Sequence, residues 1–141
     1  MTRQFGNALR GLILIFVAAA VGCGRATGTA HMTELQRVTS GTLDVVLLSP
    51  HDALRHGKDA FAIEFKSTSA GNLVDVGNVR ARANMPMPGM AMFGNIDVQR
   101  SDVPGRYVAN GQFDMAGTWR MTIDWDGPGG KGSVAFSGTV H

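Results

Sequence analysis

Gly117-Thr118-Trp119-Arg120-Met121-Thr122-Ile123-Asp124-Trp125 is the stretch that decides the fold class. Trp119, Met121, Ile123 and Trp125 alternate with Thr118, Arg120, Thr122 and Asp124, the pattern of a strand with one face in a core. Met121 is therefore a core residue. Before it, Tyr107 begins a weaker pattern ending at Phe113, and after it the loop Asp126 to Gly132 leads to Val134, Phe136, Gly138 and Val140 on a last strand. Further back, Ala60 to Lys66 sets Phe61, Ile63 and Phe65 against Ala62, Glu64 and Lys66, as in a half-solvated antiparallel sheet. Thr42 to Leu48 does the same with Leu43, Val45 and Leu47. Ser67 to Asn72 is a turn by composition, and Leu73 to Val76 follows it. About seven short strands at regular spacing predict an all-β fold, an antiparallel immunoglobulin-like β-sandwich. Tyr107, soon after Pro104-Gly105, is placed to act as a tyrosine corner that ties a connection to its strand.

Between these strands lies Met85-Pro86-Met87-Pro88-Gly89-Met90-Ala91-Met92, which holds four of the 8 methionines. Val79, Ala81, Ala83, Met85 and Met87 share one strand face, and so do Met90, Met92, Ile96 and Val98. Pro88-Gly89 suits the centre of a type II turn, because proline fixes the first dihedral and glycine accepts the positive one. The hairpin so formed sets Met87 opposite Met90 and Met85 opposite Met92, with opposed Cβ atoms roughly 5 Å apart. Thioether sulfur is soft and neutral, so four together select Cu(I), or Ag(I) as its analogue, over Zn, Mg or Ca. The same side chains also suit a core cap or an adaptable docking surface, since Met fills irregular gaps. Both prolines lack a ladder donor and confine the segment to an edge or loop. Met115 is a reserve ligand if the Phe113 to Gly117 turn lies at the same end, and His51 and His56, in one loop, are candidate nitrogen donors.

Arg3 and Arg10 flank the start of an apolar run, Gly11 to Val21, with the layout of a secretory signal. The run is shorter than the roughly 20 residues a membrane helix needs. Ala20-Val21-Gly22-Cys23 resembles the lipobox of bacterial lipoproteins, with Ala20 where Leu is most frequent. That resemblance implies lipidation of Cys23, and Gly24 after it implies a periplasm-facing outer-membrane lipoprotein held to the membrane by its lipid. The expected organisation is residues 1–23 signal peptide, 24–41 flexible tether, with a short irregular element at Glu34 to Val38 as the alternative within it, and 42–141 domain. Loss of Arg3 and Arg10 from the 13 basic residues balances the 11 acidic ones. Basic residues are also scattered, so no nucleic-acid partner is expected.

Gly129-Gly130-Lys131-Gly132-Ser133 is no phosphate loop, because Trp125 stands where the first glycine is needed and no helix follows. The sequence shows no nucleophile elbow, no zinc spacing and no carboxylate pair in an apolar setting, so enzymatic activity is not expected.

Phe61-Ala-Ile-Glu-Phe65, the Met-Pro hairpin, Pro104-Gly-Arg-Tyr107 and Phe113-Asp-Met-Ala-Gly-Thr-Trp119 together resemble the YtkA-like family, related to FixH-like proteins. The resemblance covers about Thr42 to Val140. It implies an immunoglobulin-like sandwich, export or lipid anchoring, and association with copper or heavy-metal efflux, with an efflux or metal-handling envelope protein as partner. FixH-like relatives carry a membrane helix, whereas this chain shows a cleavable signal. A metal-free adaptor that docks an envelope complex through the same methionines is the alternative.

Overall fold

A computed structural model describes residues 31–141, so the expected signal, Cys23 and the first part of the expected tether lie outside the described residues. Eight strands follow in order: β1 (Thr33–Ser40), β2 (Leu43–Ser49), β3 (Gly57–Ser67), β4 (Asn78–Met87), β5 (Met90–Arg100), β6 (Arg106–Phe113), β7 (Gly117–Gly127) and β8 (Gly130–Val140). The additional strand is β1, which occupies most of what the sequence reads as tether. It pairs antiparallel with β2 from Thr33↔Ser49 to Ser40↔Leu43, so the domain starts at Thr33 and not at 42. Leu73 to Val76 forms no strand, only an isolated bridge between Leu73 and Lys66.

All strand pairs are antiparallel, in the order β1-β2-β3-β6-β5-β4-β7-β8. The sheet folds over at β5. Residues Ala83 to Met87 of β4 pair with Met90 to Gly94, whereas Asn95 to Arg100 of β5 pair with β6. At the crossover Gly94 leaves room for Trp119, whose ring would lie 3.1 Å from any Cβ placed there. Two layers result, and β1 comes back against β8 on the far side.

The inward faces are those the alternation predicts. Val79, Ala81, Ala83 and Met85 are buried on β4, and Trp119, Met121, Ile123 and Trp125 on β7. Two aromatic contacts brace opposite ends of this core, Phe65 edge-on to Trp125 at 5.3 Å and Phe113 edge-on to Trp119 at 5.4 Å. β3 departs from the half-solvated expectation, since Ala62 and Glu64 on its outer face are also buried. The reason is local: Lys66 Nζ lies 2.8 Å from Glu64 and Arg106 Nε donates to it at 2.7 Å, which satisfies the buried carboxylate, and Ala62 lies between Leu48 and Val108 on the neighbouring strands. Tyr107 acts as the corner residue. Its hydroxyl donates to the Gly77 carbonyl at 2.8 Å and lies 3.2 Å from Asp75, tying the connection before β4 to β6.

Candidate metal centre

The ladder between β4 and β5 sets Met85 opposite Met92 and Met87 opposite Met90, the register expected from the sequence. Gly89 has φ +76°, and with Pro88 before it this is the type II pattern. The ladder from β4 to β7 stops at Asn84↔Arg120, and β5 meets β6 only from Asn95↔Gln112. Pro86 has no N–H with which to extend the first ladder. Met85 to Phe93 therefore forms a two-stranded prong beyond these pairs, beside the β7–β8 ladder that runs on to Gly117↔Val140.

The four thioethers are graded in depth. Met85 is buried in the core, and Met87 and Met92 are half-buried against its rim. Met90 is 66% exposed at the tip. Met85 is held by Gly117, where a Cβ would come within 2.9 Å of the Met85 methyl. Alternation gave the shared face of the four, but not how far the opposing sheet extends beneath it.

The registers of β1, β3, β4, β7 and β8 bring Thr33, Ser49, Gly57, Phe113, Gly117 and Val140 to this same end of the sandwich. The condition set for Met115 is thus met. Met115 is 44% exposed, and its carbonyl accepts the Trp119 indole N–H at 2.9 Å. His56 is exposed on the neighbouring connection and its Nε2 donates to the Asp114 carbonyl at 3.2 Å. That tautomer leaves Nδ1 as the basic nitrogen. His51 is half-buried, with its backbone N–H on Ser49 Oγ at 3.1 Å. Sequence reasoning passed over His141, which lies beside His56: the His56 N–H donates to the His141 carbonyl at 2.6 Å. Only the pairing of the chain end with the β2 to β3 connection reveals this proximity.

Among the described residues no group of three or more His, Cys, Asp and Glu is arranged to hold a metal ion. The donors gathered here are sulfurs with scattered imidazoles, which suit a soft monovalent ion and not Zn, Mg or Ca. A larger cleft of about 710 Å³ opens on the flank where β4 and β5 separate. Four of its six charged side chains are paired, Arg82 with Asp124 at 2.7 Å and Lys131 with Asp126 at 3.1 Å, and Arg80 and Asp97 also line it.

Fold and site together define an all-β antiparallel domain with a methionine prong at one pole. The model of the YtkA-like family matches residues 37–124, and the chain belongs to that family. Comparison with curated proteins and with solved structures returned no match.

Proposed function

We propose that this YtkA-like protein is an exported envelope lipoprotein, anchored through Cys23, that binds Cu(I) or Ag(I) at its methionine prong and passes it to an efflux or metal-handling partner. One observation carries the reading: Met87↔Met90 and Met85↔Met92 face each other across a ladder that no third described strand extends. Met87, Met90 and Met92 are reachable from solvent, and Met85 closes the inner wall. Such a set offers soft sulfur at a rim open to a partner, and exchange between proteins needs that access. Met115 and His56 stand at the same pole as further donors, and His51 lies in the same connection as His56.

The test is an oxygen-free Cu(I) titration read by sulfur-edge absorption, comparing the protein with the variant in which Met85, Met87, Met90 and Met92 are all Leu. Met and Leu differ little in volume, so each change costs less than about 1.5 kcal/mol, and only Met85 is buried. The expected result is tight binding through sulfur in the native protein and its loss in the variant. Equal weak binding in both would overturn the reading. The exposure of Met90 also favours the second reading, a metal-free docking module, which the Leu variant would leave largely intact.

A further inference from the structure

The prong has a second face. Opposite the methionines, Pro86 pairs with Ala91 and Asn84 with Phe93, and Pro86, Ala91 and Phe93 are all exposed, Phe93 at 76%. A strand face turned to water ordinarily carries polar residues. Here both faces are apolar, and Met85 to Phe93 contains no charged residue.

We infer that the prong rests on a lipid bilayer through this outer face, with Pro86, Ala91 and Phe93 at the boundary between headgroups and acyl chains and the methionines facing away from it. Rigid-body geometry supports the lipid as occupant. β1 begins at Thr33 beside Ser49, at the same pole as the prong. The ten residues from Cys23 to Thr33 reach at most about 35 Å even when fully extended. A lipid on Cys23 thus tethers the domain from this pole; the inference rests on that part of the proposed function. Pro86 and Pro88 help here as well, because each removes an N–H that would otherwise be dehydrated without a partner. The thioether face then turns to the aqueous side of the membrane surface, where a membrane-embedded partner would be met.

Emission from Phe93→Trp, measured in the full mature chain reconstituted into phosphatidylcholine vesicles, tests this. Native Trp119 and Trp125 are buried and supply a constant background. Lys131→Trp, at the start of β8 at the other pole, is the control. With lipids brominated in the acyl chains, the emission added by Phe93→Trp should fall at least twofold and that added by Lys131→Trp should not change. Mass measurement of the same sample reports the acyl group separately. Unquenched emission from Phe93→Trp in an acylated chain would overturn the inference, leaving the apolar face to a protein partner while the anchor stands. If the acyl group is absent, the anchor fails; quenching that persists then supports the prong alone, and its absence overturns the inference.

Discussion

At Gly117 a single hydrogen decides where Met85 sits. The backbone there has φ +138°, which L side chains rarely adopt, and a Cβ would press on the Met85 methyl at 2.9 Å. Gly117→Ala therefore combines backbone strain with displacement of a buried side chain. A loss of about 2 kcal/mol is expected from such strain and overpacking, read as a lower urea midpoint with an unchanged slope. Met85 should move toward solvent and become more readily oxidised by peroxide. An unchanged midpoint would mean that Met85 is not fixed by this contact. Tyr107 was legible at the same scale, because a lone tyrosine after Pro104-Gly105 has few other roles. The depth of each methionine was not, since alternation assigns a face and says nothing of what lies above it.

The prong separates geometry from global stability. Gly89 has φ +76°, and a Cβ there would meet nothing within 4 Å, so Gly89→Ala meets backbone strain alone. That strain is about 1–2 kcal/mol, and it falls on an exposed tip that contributes little to the core. The melting temperature should thus barely move, whereas Cu(I) affinity should drop because the opposed methionines lose their register. Gly89→Asn, which tolerates the left-handed conformation, should restore most of the affinity. Equal affinity in the native and Gly89→Ala proteins would show that the turn does not set the metal geometry. This hairpin was readable because Pro88-Gly89 fixes the turn, and the turn fixes the register. β1 was not readable, for a reason also in its register. Glu34 pairs with Leu48 and Gln36 with Leu47, so Leu35 is a bulge and the period-two pattern breaks there. Leu35 and Val38 both pack on the core from positions of opposite parity. Likewise, no alternation could reveal that Lys66 and Arg106 both pair with Glu64 on the outer face of β3.

Over the whole molecule, acid should weaken the fold before it weakens the metal site. Among the described residues, five carboxyls are held below their ordinary range. For Glu34 the Arg37 hydrogen bond dominates, for Asp44 that from Thr39, for Asp75 the backbone N–H of Gly77, and for Asp124 the Ser133 hydroxyl. For Glu64 burial pushes upward, but hydrogen bonds and charges from Lys66 and Arg106 together bring it down. Each such group is more acidic folded than unfolded, so the unfolded chain takes up protons first as pH falls. Their contribution is fully present above the unfolded carboxyl values of about 3.9–4.3 and is lost as pH falls through the lower folded ones. Tyr107 moves the other way, raised by burial and then by Asp75, so its contribution fades as pH rises past about 10. Stability should therefore be flat from about pH 6 to 9 and fall on the acid side, in urea midpoints measured from about pH 7 to 3. Glu64→Gln should lower the plateau, because Lys66 and Arg106 lose their shared carboxylate, and should make the acid limb shallower. An acid limb of unchanged slope would show that Glu64 is not among the groups that drive it. Thioethers bind no proton in this range, so Cu(I) affinity at the prong should stay constant with pH as long as the domain remains folded. A decline toward acid while the domain stays folded would instead place an imidazole, that of His56 or His51, among the ligands.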